Sequence, residues 1–330
     1  MPTNLPPEYH NADERYRAAQ TPEEKIRTLE DLISTIPKHK GTDKLRADLR
    51  RKLSKFKASA ETRKGTGKRE SIYSIDREGA GQIAVVGFSN TGKSSLVARL
   101  TNASPDVEDY PFSTWTPTPG MLQIDNIQVQ LIDTPPLDRD FVEPELMDLL
   151  RRVDMILLMV DLQAFPIEQL EKSVAFLGEH RIFPSHLRPE IEPEGFHRNV
   201  YLPFVILVNK CDDEHCDEDF AVFQELVEGD LPLLPLSILQ GRNLEQMKQV
   251  IYETLGIMRV YSKPPGKEAD PSSPFVLAIG STVEEFAAKV HQDFFQNLKS
   301  ARIWGTGVHD GQLVGREHVL HEGDIVELRI

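Results

Sequence analysis

The chain has 330 residues, long enough for two or three domains with substantial cores, and its apolar and charged fractions are those of a globular protein rather than a disordered or collagen-like one. Its net charge is −14, and no stretch approaches the roughly eighteen uninterrupted apolar residues of a membrane-spanning helix. Two cysteines, Cys211 and Cys216, argue against a disulfide framework and for a reducing, cytoplasmic compartment.

In chain order, Met1 to Ala19 is rich in Pro, Asn and charge and is expected to be frayed. Met1–Pro7 has neither a basic cap nor an apolar block, so no signal peptide is expected. Thr21-Pro22-Glu23-Glu24 reads as an N-cap, a proline at the first helical position and acids in the first turn. Ile26, Leu29, Leu32 and Ile33 follow at helical spacing, and Ile36-Pro37 ends that helix. Thr42-Asp43 opens a second helix with Leu45, Leu49, Leu53 and Phe56 on one stripe. The pattern predicts an N-terminal helical hairpin and a Gly-bearing basic linker within residues 1–78. Between 38 and 70, thirteen Lys and Arg face four acids, so this segment carries about +9 and the rest about −23. A basic block on an acidic chain suits a phosphate-backbone partner such as RNA, although a solvated helix face would look the same.

A core domain is expected over residues 79–262. Its candidate strands are Ile83–Val86, Met121–Ile124, Ile127–Ile132, Met155–Val160, Val205–Val208 and Leu233–Leu236, alternating mostly with helical stretches and closed by a helix carrying Leu244, Met247, Ile251 and Leu255. That order predicts an α/β, doubly wound, mostly parallel sheet with ligands at the carboxyl ends of its strands. After the first strand comes Gly87-Phe88-Ser89-Asn90-Thr91-Gly92-Lys93-Ser94-Ser95, which matches the phosphate-cradling P-loop. Glycines let the backbone N–H groups of Asn90, Thr91, Gly92, Lys93, Ser94 and Ser95 approach phosphates, and the following helix N-terminus adds donors and a favourable dipole. Lys93 supplies a point charge to the β- and γ-phosphates, and the Ser94 hydroxyl can ligate Mg²⁺. Asp109-Tyr110-Pro111-Phe112-Ser113-Thr114 offers Thr114 as a switch residue that closes on Mg²⁺ and the γ-phosphate. Asp133, at the end of its strand in Asp133-Thr134-Pro135-Pro136, fits the carboxylate that holds the metal, usually through water. The segment from about Glu179 to Leu202, rich in Pro and Glu, reads as a loop with little structure.

The apolar run Phe204–Val208 leads into Asn209-Lys210-Cys211-Asp212. At a strand end downstream of a P-loop, this string reads guanine. The carboxylate of Asp212 can accept from guanine N1–H and the exocyclic amine, whereas adenine would leave it desolvated and unpaired. The stem of Lys210 can lie over the base, Asn209 can brace the P-loop, and backbone N–H groups at Ser237-Ile238 can reach guanine O6. Beyond Pro-rich residues 263–273, read as a linker, Phe275–Ile279 starts a last module spanning 263–330 with its linker. A capping box at Thr282–Glu285 opens a helix carrying Val283, Phe286, Ala287 and Val290, and Ile303-Trp304 and Ile325–Ile330 supply later strands. Trp304 reads as core ahead of nucleotide stacking.

On Gly87-Phe88, Gly92–Leu96, Tyr110–Thr114, Asn209–Asp212 and Met258–Gly266, the chain resembles the developmentally regulated (DRG) branch of the Obg-type GTPases. Thr282–Phe286, Ala301–Gly305 and Val314–His318 resemble a TGS domain, a ubiquitin-like β-grasp module. The resemblance runs from about Thr21 to the end. It implies GTP and GDP as ligands, Mg²⁺, slow hydrolysis with Lys93, Thr114 and Asn90 in the catalytic region, and contact with ribosome or RNA through the TGS module. Related GTPases use a P-loop Asn to help hold potassium, and Asn90 occupies that position. Two residues depart from the family's third motif. Pro136 replaces a glycine whose N–H meets the γ-phosphate, and Leu137 stands where Ras-like enzymes keep a water-orienting Gln. The rival expectation is a guanine-nucleotide-binding scaffold or sensor that does not hydrolyse.

Overall fold

The computed structural model describes residues 72–103, 116–139, 141–189 and 199–330, together with Thr28, Leu32, Thr35 and Leu49. The expected hairpin, the basic run 38–70 and Thr114 therefore lie almost wholly outside the described residues. Of the first, the four named positions are helical, with Leu32 and Leu49 buried.

Residues 72–330 form one compact unit. A first sheet is built from β1 (Gln82–Gly87), β2 (Thr118–Ile124), β3 (Ile127–Asp133), β4 (Met155–Asp161), β7 (Phe204–Asn209) and β8 (Leu233–Pro235), in the order β2-β3-β1-β4-β7-β8. All neighbours run parallel except the β2–β3 hairpin, so the sheet is mixed, with an antiparallel edge. Period-two alternation sends Ala84 and Val86 to one face and Ile83 and Val85 to the other. Helices α2 (Pro144–Leu150), α3 (Pro166–Glu179) and α4 (Cys216–Leu226) cover the first face, α1 (Lys93–Leu100) and α5 (Leu244–Leu255) the second. Covered on both sides, β1, β4 and β7 are buried along their whole length, which is why they read as unbroken apolar runs.

Two local expectations change. Within Glu179–Leu202, β5 (Ile182–Pro184) and β6 (Val200–Leu202) pair in parallel, and Phe183 stacks on Tyr201 at 5.7 Å between ring centroids. Three-residue strands joined only through a distant partner leave no periodicity to read. Next, β9 (Ile257–Ser262) starts directly after α5 and joins a second sheet, with β10 (Phe275–Ala278), β11 (Ser300–Trp304), β12 (Gln312–Val314) and β13 (Ile325–Arg329), in the order β10-β9-β13-β11-β12. Because β9 and β10 are antiparallel, the Pro-rich residues 263–273 connect two strands of one sheet instead of leading into it. Helix α6 (Val283–Val290) buries Phe286 completely in this sheet's core with Val260, Ala301, Ile303 and Val326. Its capping box is formed, with Glu285 N donating to Thr282 Oγ1 at 3.4 Å and Thr282 N to Glu285 Oε2 at 2.9 Å.

Asp324, wholly buried here, accepts from Thr306 N at 3.1 Å and His321 N at 2.8 Å. A Cβ on Gly305 would lie 1.9 Å from its Oδ1. We expect Gly305→Ala to cost roughly 2–4 kcal/mol by denaturant unfolding, through a buried carboxylate pushed off its donors. Gly315→Ala, where a Cβ meets nothing within 4 Å, is expected to stay within about 1 kcal/mol of the parent.

Candidate functional site

The carboxyl ends of β1, β3, β4, β7 and β8 lie on one side of the first sheet, so the loops leaving them gather there. At the end of β1 the chain turns through Phe88–Gly92 into α1. Asn90 takes φ 60° and Gly92 φ 101°, left-handed values that allow so tight a turn. Thr91 Oγ1 and Lys93 Nζ both donate to Phe88 O, at 3.0 and 2.7 Å. Burial pushes the Lys93 ammonium down to about 8, with the carboxylates of Asp133 and Asp138 opposing that shift. An anion in the loop would relieve the same strain.

Strand β3 carries Asp133, fully buried, to within 2.6 Å of Ser94 Oγ, which donates to its Oδ2. A hydroxyl and a carboxylate side by side at a helix N-terminus are the hard oxygen donors that Mg²⁺ takes, so these two residues fit the metal. Beyond Asp133 the chain stays against the P-loop. Thr134 Oγ1 donates to Val85 O at 2.8 Å and Leu137 N to Gly87 O at 3.1 Å. Pro136 has no N–H, and the next N–H along, that of Leu137, is turned to Gly87.

The second half of the site hangs from β7. Asn209 is buried, donates through Nδ2 to Thr91 O at 2.9 Å and accepts from Ile238 N at 3.3 Å. One side chain thus ties together the P-loop, the Asn209–Asp212 turn and the Ser237-Ile238 loop. Lys210 takes φ 70°, and its Nζ is held by the carboxylate of Asp161 at the end of β4. Asp212 Oδ1 accepts from the Ser237 hydroxyl, and Ser237 Oγ accepts from Gln240 N at 2.9 Å. Burial, then the adjoining Cys216, pushes the Cys211 thiol up to about 12, so it stays protonated and inert.

Among the described residues, the candidates that the motifs name (Asn90, Thr91, Gly92, Lys93, Ser94, Ser95, Asp133, Asn209, Lys210, Asp212, Ser237 and Ile238) all lie on these loops or at the strand ends feeding them. Two contributors lie outside the motif strings: Asp138, which meets Ser89 of the P-loop, and Asp161. Of these, only Asp161 carried a signal, as an acid ending an apolar run at a strand's carboxyl end.

A family described as "50S ribosome-binding GTPase" matches residues 82–187, and the TGS domain family matches residues 258–330. A GTP-binding protein of Methanocaldococcus jannaschii is 31% identical over 93% of each chain. Developmentally-regulated G-protein 3 of Arabidopsis thaliana is 25% identical, and Ribosome-interacting GTPase 1 of Saccharomyces cerevisiae 23%, each over 92% of this chain and 98% of the relative. Among solved structures, the Schizosaccharomyces pombe YchF GTPase shares the fold, with a TM-score of 0.53 at 13% identity over 77% of this chain and 99% of that one.

Proposed function

The chain belongs to the Obg/DRG family of GTPases and carries a C-terminal TGS domain, and from that premise we propose a guanine-nucleotide switch that hydrolyses GTP slowly in the presence of Mg²⁺ and engages the ribosome or its RNA. The observation that carries this reading is the buried Asn209–Thr91 hydrogen bond of 2.9 Å. It ties the anion-binding loop to the turn that carries Asp212, so the two motifs border one site. In this reading Lys93 and the loop amides of Asn90, Thr91, Gly92, Ser94 and Ser95 stabilise charge on the transferring phosphoryl group. Lys210, steadied by Asp161, lies along the base, and the Ser237-Ile238 amides face O6. Ser94 and Asp133 would hold Mg²⁺, which when bound would neutralise phosphate charge. Thr114 closes over the γ-phosphate, and Asn90 stands where potassium would stimulate turnover.

The ribosome enters from the matched family's description and from the printed name of the yeast relative. On this chain the +9 segment 38–70 and the TGS sheet are the surfaces proposed to meet RNA. Trp304 on that sheet is half-buried instead of a core residue, and Lys263 lies over its ring at 4.9 Å. Among the described residues no helix is long and apolar enough to cross a membrane.

One observation favours a second reading, a nucleotide-binding scaffold or sensor without useful hydrolysis. Pro136 offers no donor, and the Leu137 N–H bonds Gly87 O. Single-turnover phosphate release separates the two, measured in sodium and in potassium, with and without ribosomes. Slow release that rises with potassium or ribosomes is expected. Nucleotide binding without release under every condition would favour the scaffold.

A further inference from the structure

We infer that Asp138 discriminates between GTP and GDP: seated on the P-loop, it occupies ground that a γ-phosphate needs, so the resting site favours the diphosphate and a triphosphate must displace it. The inference rests on the guanine-nucleotide reading of this site.

The placement follows from the sequence upward. From Asp133 the chain passes through Thr134, Pro135, Pro136 and Leu137, all buried, with two prolines restricting φ and two hydrogen bonds tying the segment to β1. The next residue, Asp138, is exposed and projects onto Ser89. Its Oδ1 accepts from Ser89 N at 2.8 Å and from Ser89 Oγ at 3.0 Å. A carboxylate therefore sits on an N–H of the loop that binds anions. It also contributes, with Asp133, to the negative field around Lys93.

The chemistry of the neighbours points to the γ end. Asp138 follows the strand end that bears Asp133, which with Ser94 offers the oxygen pair that would hold Mg²⁺ and its charge at this end of the site. A γ-phosphate arriving there meets a like charge already bonded to the loop. GDP brings no such group. Two hydrogen bonds hold Asp138 on Ser89, and a triphosphate must break them where a diphosphate leaves them in place.

The test is the ratio of affinities, because a general loss of fold or of phosphate binding moves both nucleotides together. Fluorescent GDP and a fluorescent non-hydrolysable GTP analogue would be titrated with Mg²⁺ into the full chain, its Asp138→Asn and Asp138→Ala variants, and Ser89→Ala. In Asp138→Asn the affinity for the analogue relative to GDP is expected to rise about tenfold or more, with GDP affinity changed less than about twofold. Ser89→Ala, which removes one of the two hydrogen bonds, is expected to move the ratio in the same direction but less. If Asp138→Asn does not fold, Asp138→Ala decides by the same ratio. An unchanged ratio with both nucleotides bound overturns this inference and leaves the guanine reading standing. So does a ratio that shifts towards GDP, or hydrolysis that falls with the ratio unmoved, which would make Asp138 a helper of the γ-phosphate or of water. Failure of the unaltered chain to bind either nucleotide overturns the inference and the guanine reading together.

Discussion

Asp212→Asn is expected to weaken GDP and GTP binding by about a hundredfold or more while leaving the fold intact. Two hydrogen bonds from guanine to a charged acceptor are at stake, each worth about 1.5–3 kcal/mol. The variant also turns an amide N–H₂ towards a base edge that offers only donors. Ser237 Oγ, which donates to Asp212 Oδ1, can donate equally to an asparagine carbonyl, so thermal unfolding should shift little. Xanthine carries an oxygen in place of guanine's exocyclic amine, so the variant should gain affinity for xanthosine diphosphate. Calorimetric titration with GDP, xanthosine diphosphate and ADP gives the answer. GDP affinity untouched by the substitution would mean that Asp212 does not read the base.

Gly92→Ala should damage stability and binding together, and for one reason. At φ 101° any side chain is strained, and a Cβ there would lie 2.4 Å from Asn209 Nδ2 and 3.1 Å from Ile238 Cδ1. The alanine must push Asn209 off Thr91 O, breaking the bond that joins the two halves of the site. A loss of roughly 2–4 kcal/mol in denaturant unfolding is expected, with GDP affinity reduced about tenfold or more. Adding Asn209→Ala removes the atom that is struck, so the alanine at 92 should cost less in that background than in the parent. Strict additivity of the two substitutions would show that they do not meet.

Much of the first sheet was legible because its strands are buried on both faces and therefore unbroken in sequence. The candidate for the phosphate end was legible for a related reason. A P-loop is local, and glycine, lysine and serine at fixed spacing carry its chemistry without help from afar. Asn209–Asp212 gained meaning from the apolar run before it. The second sheet was half legible: the Thr282 capping box and β10 could be read, whereas Ile257–Ser262 was not read as a strand at all. Nothing within Ile257–Ser262 says which sheet it will join, and the prolines after it mark a connection between strands as readily as a domain boundary.

Sequence by itself determined most strands and helices of the first sheet and which short strings are candidates for phosphate- and base-reading chemistry, since those depend on residues within one turn or one loop of each other. Only the tertiary structure decided that the brace expected of Asn209 falls on Thr91 O, that Asp161 holds Lys210, and that Asp138 lies on Ser89, pairs separated by 118, 49 and 49 positions along the chain. Each is a hydrogen bond between loops from different strands. Its existence depends on strand order and on the direction of each turn, which long-range packing sets and no local pattern records.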